Sequence, residues 1–280
     1  MNTRDSGRHR VVFRAPPPAN PARHTAEPDP KARETMDPNP PSFPLTPRNR
    51  VRRRPQRGHY DHETVYRILD AAMLCHIAYV IDGQPYCTPT AFWREGDHLY
   101  WHGSSASRML RAEATGIPVC LTVSHMDAIV LARCGFNHSI NYRAVMAFGR
   151  AAPIEGAAAK KRAMDGFIDR FFPGRAGALR APTAKEIKAT MLVGMRIEDA
   201  SAKIRDVGVH DDEEDYAHPV WTALVPLQTV LGAPEECPRQ LPGLDAASGG
   251  MAAYRAGRRL DAVMTETAAA YARRGGAVKD

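Results

Sequence analysis

Three predicted strands follow one another with only tight turns between them, at residues 75–81, 86–93 and 98–102. The first turn is Asp82-Gly83, and both residue types adopt the positive φ that a two-residue hairpin requires. The second turn is a glycine between two acidic residues. Strands joined this closely pair with their neighbours in the chain, so the segment predicts an antiparallel meander.

The rest of the chain adds further strands and a few helices. Strands are predicted at residues 117–125, 127–134, 142–152, 190–197 and 220–227. Helices are predicted from the N-cap Asp61 to about residue 72, from the segment 103–108 to Gly116, and at residues 157–172 and 251–273. Many short strands with few helices predict a mainly β protein, a β-barrel with peripheral helices.

Composition divides the chain into three regions. Residues 1–58 contain 12 of the 23 prolines, and residues 1–45 form a Pro/Arg-rich segment that we expect to be disordered. Residues 46–230 are the predicted barrel domain, and residues 231–280 are a predicted linker with a C-terminal helix.

The charge distribution argues against a nucleic-acid partner. The net charge is +7, but residues 1–58 alone carry 13 Lys/Arg and 5 Asp/Glu, a net of +8, which leaves −1 for the rest. A near-neutral domain lacks the basic surface that a polyanion requires. The basic run at residues 48–54 would bind nucleic acid or an acidic partner, or it is a solvated linker or an arm of the folded domain; we favour the second interpretation.

Compartment follows from what the chain lacks. No apolar run is long enough to span a membrane, and the N-terminus has no secretory signal pattern. The five cysteines are odd in number and include no C-x-x-C pair, so neither disulfides nor a metal site are indicated. We therefore expect a cytoplasmic protein.

The segment 103–108 carries the clearest chemistry. It would connect a strand to a helix N-terminus, where free N–H groups and the helix dipole bind anions. Ser104, Ser105 and Ser107 add hydroxyl donors, and the Arg108 guanidinium can form two parallel hydrogen bonds with a phosphate. In the alternative interpretation a serine only caps the helix and Arg108 lies on the surface.

The strands, the serine-rich loop and several short motifs along the chain resemble those of the pyridoxamine-phosphate-oxidase-like split-barrel family. The resemblance is greatest to its flavin-nucleotide-binding branch, which is related to nitroimidazole-resistance reductases. The resemblance covers about residues 47–230. The residues that carry it are Ile68-Leu69-Asp70, Cys75-His76, Gln84-Pro85-Tyr86, Pro89-Thr90, His102-Gly103-Ser104, Ser107-Arg108, residues 127–132 and 138–145, Phe148-Gly149-Arg150, residues 201–205 and Trp221.

The resemblance implies an FMN-binding split barrel and a set of cofactor-binding residues. Ser107 and Arg108, with Ser104, Gly103 and His102 beside them, would hold the FMN phosphate. The other residues that it implies near the flavin are Thr88, Pro89 and Thr90 on the second strand, Asn141, Tyr142 and Arg143, and Trp221 from a partner subunit. Lys203 would either reach the flavin or pair with the acidic segment 211–215. Met109 stands where the oxidases have a lysine, which disfavours a vitamin-B6 substrate.

The function expected from this resemblance is that of an FMN-dependent oxidoreductase acting on a small organic substrate, with a nicotinamide cofactor as electron donor. The protein would be a homodimer. Because flavin carries the redox chemistry itself, no catalytic residue is named. The alternative is a non-catalytic flavin or haem binding protein or sensor of the same fold, with His102 and His138 as candidate haem ligands. A deazaflavin is a further alternative cofactor.

The beginning of the chain lies outside the resemblance. Residues 1–35 lack a core pattern, and Met36 comes shortly before the resemblance begins. We therefore expect residues 1–35 to be dispensable for folding and flavin binding, with Met36 as an alternative start.

Overall fold

The computed structural model describes residues 41–244 and 250–276. The expectations for residues 1–40, disorder and a start at Met36, lie outside the described residues. The described fold already includes residues before 46, because Phe43 is buried and its N–H donates to the carbonyl oxygen of Tyr60 at 2.9 Å.

Within the described residues, strands outnumber helices. The strands are β1 (Gly58–His59), β2 (Leu74–Ile81), β3 (Gln84–Glu95), β4 (His98–Ser104), β5 (Pro118–Leu131), β6 (Ser139–Pro153), β7 (Thr190–Arg196), β8 (Asp199–Arg205) and β9 (Ala223–Pro226). The α-helices are α1 (His62–Asp70), α2 (Arg108–Glu113), α3 (Ala157–Phe171), α4 (Ala184–Ala189) and α5 (Leu260–Arg273).

Six of the strands close into an antiparallel ring. The order is β6-β7-β4-β3-β2-β5, and β5 pairs back onto β6. On one side β8 and then β1 extend the sheet from β6, and on the other side β9 extends it from β5. This arrangement confirms the predicted fold class, a mainly β split barrel with peripheral helices.

The long strand β3 joins the two halves of the barrel. Its first part pairs with β2, and from Phe92 onward it pairs with β4. Inward-facing apolar residues fill the barrel, among them Ile77, Phe92, Leu121 and Val145, all essentially inaccessible to solvent. Alternation of buried and exposed positions along each strand thus produces one packed interior.

Helix α1 begins where the sequence predicts. The Asp61 side chain accepts a hydrogen bond from the Thr64 N–H at 2.7 Å, which is an N-cap. Val65, Ile68 and Leu69 are buried in the barrel core. Helix α1 therefore covers one end of the ring.

A second apolar cluster lies on the other face of β3 and β4, beneath α3 and α5. It includes Trp93, Tyr100, Phe171 and Tyr271. Arg170 is buried there, and its guanidinium donates to the carbonyl oxygens of Asp70 and Met264 and to the Thr267 hydroxyl. Helix α5, which lies beyond the predicted barrel domain, is therefore tied to it by packing and hydrogen bonds.

Several elements differ from the prediction, and two short ones, β1 and α4, have no predicted counterpart. The two strands expected at residues 117–125 and 127–134 are one strand, β5, with a register shift between Met126 and Ala128. Strand β8 was not predicted as a regular strand. The C-terminal helix begins at Leu260 rather than residue 251, because Gly257 adopts a φ of 80° that interrupts an α-helix.

None of the helices in the described part of the chain combines the length and apolar character needed to cross a membrane.

Candidate functional site

The loop between β4 and α2 brings the predicted phosphate-binding serines together. The Ser107 side chain is the N-cap of α2 and accepts from the Leu110 N–H at 3.4 Å. The Ser104 hydroxyl accepts from the Ala106 N–H at 3.2 Å. Both serines therefore order the loop by capping, yet each hydroxyl keeps its O–H for donation to an anion.

Gly103 has a packing role in this loop. A Cβ atom at Gly103 would lie 3.1 Å from Cδ1 of Leu110, which is fully buried. The missing side chain therefore lets α2 pack closely against the end of β4. From the sequence, Gly103 was predicted to lie beside a bound phosphate. In the structure, the packing of Leu110 against β4 is a separate reason for a glycine at this position.

Arg108 lies at the start of α2 with its charge uncompensated. Its guanidinium carbon is 4.4 Å from the centroid of the Tyr86 ring, a cation–π contact. Tyr86 stacks on Tyr79 at 5.5 Å, and the Tyr79 hydroxyl is 3.1 Å from the Thr88 hydroxyl. Among the described residues no carboxylate forms an ion pair with Arg108, so the guanidinium is available to an anion at the helix N-terminus.

The three predicted flavin-facing residues of β3 do not share one face. Thr88 and Thr90 alternate with the strand pleat on the same side as the buried Phe92. Pro89 points to the opposite, exposed face, where it lies across from His76 of β2. A ligand that contacts all three would have to approach the edge of the strand or its backbone.

His102 is placed under α3. Its ring packs edge-on against Phe167 of α3, with centroids 4.6 Å apart, and also contacts Trp93 at 6.5 Å. Its Nδ1 is buried without a hydrogen-bond partner. Burial lowers the pKa of His102 and so favours the neutral ring. In the tautomer without a proton on Nδ1, no buried hydrogen-bond donor is left without a partner.

Asn141, another predicted site residue, is buried, and its side chain connects neighbouring parts of the chain by hydrogen bonds. Its side-chain amide donates to the Val207 carbonyl oxygen at 2.9 Å, and its oxygen accepts from the Arg205 guanidinium. These bonds fix the chain where it leaves β8. Both the amide nitrogen and the oxygen of the Asn141 side chain therefore bind other residues of the protein.

Arg143 forms the centre of a second polar cluster. It is paired with Asp127 at 2.7 Å and with Asp261 of α5 at 3.4 Å, and Asp261 also binds Arg259 at 2.6 Å. Hydrogen bonding with Asp127 raises the pKa of Arg143, and the Arg259 hydrogen bond lowers the pKa of Asp261. The cluster is charge-balanced: two cations oppose two anions.

A cavity of about 710 Å³ adjoins this cluster. His125 lines it, with its Nε2 3.1 Å from the Ile68 carbonyl oxygen; Nε2 donates in that contact, which leaves Nδ1 as an acceptor. Burial lowers the pKa of His125. Met73 and Leu74 add apolar walls, so the cavity offers a neutral imidazole, paired charges and apolar surface to a small molecule.

The first cluster, formed by Arg108, Tyr86 and the serine loop, and the second cluster around Arg143 lie at opposite ends of the paired strands. Tyr86 pairs with Tyr79, which is three residues along β2 from His76. His76 pairs with Thr122, and His125 is three residues further along β5 in the other direction. Six residues of extended strand separate the two sites by about 20 Å.

The remaining predicted residues lie outside both clusters. Tyr142 and Lys203 are half-buried on neighbouring strands β6 and β8, and Lys203 pairs in register with Ala144. Trp221 lies just before β9 with 74% of its surface exposed. In the described part of the chain, Lys203 forms no ion pair with the acidic segment 211–215.

A comparison with protein families identifies the chain. The family described as pyridoxamine 5'-phosphate oxidase matches residues 61–204, which is half of the sequence and spans most of the barrel. The chain belongs to this family. Trp221 lies beyond the matched range, whereas the other predicted site residues lie within it.

Two solved structures extend the match beyond the family range. The flavocytochrome Anf3 from Azotobacter vinelandii is 42% identical, with a TM-score of 0.71, and the match covers 78% of this chain and 100% of that one. The FAD and heme binding protein from Mycobacterium smegmatis is 35% identical, with a TM-score of 0.67, and coverages of 73% and 98%. None of the curated proteins matches.

Several residues of this family member escaped sequence reasoning. Tyr86 was noted only as part of a motif, because its stack under Arg108 depends on the pairing of β2 with β3. Glu113 looks like an exposed helical residue in the sequence, yet it is fully buried and accepts from Trp101 Nε1 at 2.8 Å. Burial raises its pKa to about 7.

A third unexpected group is formed by Cys134, Asp211 and Asp215, whose ligand atoms lie within 4.8 Å of one another. Asp211 was expected in a solvated acidic loop, but it is buried and paired with Arg133 at 3.1 Å. The Arg133 guanidinium therefore already compensates the charge of Asp211.

Proposed function

We propose that this protein binds a flavin nucleotide and that Arg108 holds the flavin's phosphate. The observation that carries the proposal is the uncompensated Arg108 guanidinium on the Tyr86 ring, at the N-terminus of α2. Free hydroxyl protons of Ser104 and Ser107 surround the same point. Family membership and two relatives whose names include flavocytochrome and FAD support it.

The reaction that we propose is hydride or electron transfer from a nicotinamide donor, through the flavin, to a small organic acceptor. A bound flavin supplies the redox chemistry, and the protein supplies binding and orientation. Arg108 and the α2 N-terminus neutralise and position the phosphate. The cavity beside His125 is the proposed place for the organic acceptor, since it combines apolar walls with a neutral imidazole that offers one hydrogen-bond acceptor.

The cofactor is FMN by the family resemblance, whereas the name of the relative from Mycobacterium smegmatis specifies FAD. Titration of the purified protein with FMN, FAD and a deazaflavin, followed by flavin fluorescence, separates the three. The proposal of flavin binding fails if none of the three binds. Flavin-dependent oxidation of NADH or NADPH by the loaded protein supports an enzyme, and its absence supports the alternative of a flavin carrier or sensor.

We also propose a homodimer formed through the outer face of the sheet. Large apolar side chains are exposed on β2, β5 and β6: Leu74, Val80, Met126, Ile140 and Met146. Large exposed apolar side chains on neighbouring strands favour an interaction surface. Because the two clusters of one chain are about 20 Å apart, a partner subunit is the proposed source of Trp221 and Arg143 at each flavin.

Placing charges on this face is expected to break the dimer. The variant Val80→Glu/Met146→Glu buries two carboxylates if the dimer forms, which costs several kcal/mol. Light scattering should give about twice the chain mass of 30.8 kDa for the wild type and one chain mass for the variant. Leu179→Glu, at an exposed leucine outside this face, is the matched control and should remain dimeric. A monomeric wild type contradicts the proposal.

A second candidate function is binding of haem together with flavin. Both similar structures are described as a flavocytochrome or as binding heme. His138 fits an axial ligand, because it is exposed and its Nδ1 donates to the Cys134 carbonyl oxygen at 2.8 Å, so Nε2 is the ring nitrogen left to ligate a metal. Phe136 beside it is 90% exposed and offers apolar surface. His102 fits less well, since α3 covers it.

Replacing His138 by alanine is therefore expected to weaken haem binding by about tenfold or more, since losing even an outer-shell partner of a metal ligand typically costs about 10- to 100-fold in affinity. Haem titration followed by the Soret band measures this, with flavin affinity as the internal reference. His218→Ala, at another exposed histidine, is the matched control. Equal haem affinity of the His138→Ala variant and the control contradicts the assignment of His138.

A further inference from the structure

The basic run at residues 48–54 is an arm fixed to the barrel. Arg48 forms ion pairs with Asp199 at 2.8 Å and Glu198 at 2.7 Å. The buried Asn49 side chain donates to the carbonyl oxygens of Pro44 at 2.8 Å and Ala200 at 3.1 Å. These bonds hold the arm against β8, so the arginines that follow occupy defined positions.

The following arginines lack acidic partners. Among the described residues no carboxylate lies within 4.0 Å of the guanidinium groups of Arg50, Arg52, Arg53, Arg54 or Arg57. Repulsion between them opposes this arrangement. Burial, and then the charge of the neighbouring Arg57, lower the pKa of Arg205 on β8. A bound anion would relieve this repulsion.

A pocket of about 680 Å³ lies within the arm, in the volume range of small-molecule sites. We call it the arm pocket, and it is lined by Arg50, Arg52, Leu45, Pro47, Pro55 and Tyr60. The Tyr60 hydroxyl accepts from the Val51 N–H at 2.9 Å, which fixes the tyrosine against the arm. Two cations, two prolines and an aromatic ring thus face one space.

The backbone conformation of Arg54 is a further indication that this arrangement serves a function. Its φ is 57°, in the left-handed region that disfavours side chains other than glycine. The residue turns the chain between Arg52 and Pro55, both of which line the arm pocket. Backbone strain of this kind persists where the surrounding structure requires it, and it clusters at binding sites.

We propose that the arm pocket binds the adenosine diphosphate moiety of a dinucleotide. Arg50 and Arg52 bind the two phosphates, and Tyr60 with the prolines contacts the adenine ring. This site is separate from the Arg108 loop and goes beyond the proposed flavin function. A nicotinamide dinucleotide and FAD both carry the moiety, whereas FMN lacks it. A polynucleotide is disfavoured, because the charge of the chain outside its first 58 residues is near zero.

The test compares ligands that contain and lack the moiety. ADP, NADH, NADPH, FAD and FMN are titrated by calorimetry into the full chain and into Arg50→Gln/Arg52→Gln. The variant should bind ADP at least about tenfold more weakly than the wild type does. The dinucleotide whose affinity falls by the same factor is the one whose ADP moiety occupies the arm pocket. FMN affinity should not change. The control Arg67→Gln/Arg239→Gln removes two exposed arginines elsewhere and should match the wild type.

Three results overturn the proposal. The first is a wild type that does not bind ADP, and the second is an arm variant that binds ADP with unchanged affinity. The third is arm-dependent binding of a DNA duplex that ADP does not displace, since this identifies a polyanion surface with steep salt dependence. FMN binding is measured in the same series, so failure of the flavin proposal is recorded separately from failure of the arm pocket.

Discussion

Replacing Arg108 by alanine is expected to weaken flavin binding on the order of a hundredfold. Each charge-assisted hydrogen bond to a phosphate contributes roughly 1.5–3 kcal/mol, and a guanidinium forms two of them. Arg108 is exposed, and its recorded contact is the Tyr86 ring, so its removal should leave the fold intact. Quenching of flavin fluorescence measures the affinity, and circular dichroism checks the fold.

Two further variants separate charge from geometry. Arg108→Lys keeps the charge but loses the planar fork, so an intermediate loss of affinity is expected. Arg162→Ala removes an exposed arginine from α3 and should have no effect. Ser107 is avoided, because its side chain caps α2 and its loss would alter the helix. A folded Arg108→Ala protein with wild-type affinity would falsify the proposed phosphate site.

The meander could be predicted from the sequence because local signals specify it. Asp82 and Gly83 both adopt positive φ, as the turn requires, and β2 and β3 alternate between buried and exposed positions. Such information lies within a few residues of each turn. A closed barrel was predicted from the number of short strands, but the non-local pairings that form the ring, β2 with β5 and β4 with β7, leave no local pattern.

Strand β8 shows what local patterns miss. It contains a buried aspartate, Asp199, in a position where a strand interior usually carries an apolar residue. The charge is accommodated because Arg48 and Thr46, about 150 residues earlier, donate hydrogen bonds to it. No rule based on neighbouring residues supplies such partners. The same long-range contact makes the basic run an arm of the folded domain, which is one of the two forms of the interpretation favoured from the sequence.

The candidate site was predictable to a similar extent. The strand, the serine-rich loop and the helix beginning at Arg108 follow from the sequence. The Tyr86 ring beneath Arg108 follows only from strand register, and the pairing of Arg143 with Asp127 depends on the bulge in β5. Residues predicted as one site therefore lie in two clusters and in positions outside both, and their joint role at a flavin stays a prediction.

Glu113 provides the second large expected effect, on stability. It is the last residue of α2, and its carboxyl group is enclosed by the barrel core, with Trp101 Nε1 as donor to one oxygen. The other oxygen, Oε1, is buried and has no partner. Burial raises the pKa from the usual 4.5 to about 7, and the Trp101 hydrogen bond opposes this only partly.

The sign of the pH effect follows from proton binding. Below pH 4.5 the folded and unfolded chains both hold the proton. Between pH 4.5 and about 7 the unfolded chain releases it while the folded protein keeps it, so rising pH favours unfolding. A shift of this size corresponds to a loss of about 3 kcal/mol of unfolding free energy across that interval.

The variant Glu113→Gln should abolish this loss, because the amide does not ionise and still accepts from Trp101. Urea unfolding of both proteins between pH 4.5 and pH 8 is the measurement, and the wild type should lose about 3 kcal/mol relative to the variant. Burial lowers the pKa of His102 and of His125, but both residues are present in both proteins, so their contributions cancel in the difference. Glu236→Gln, at an exposed glutamate, is the control. A difference between Glu113→Gln and wild type that stays constant with pH would show that the buried carboxyl ionises as it does in the unfolded chain.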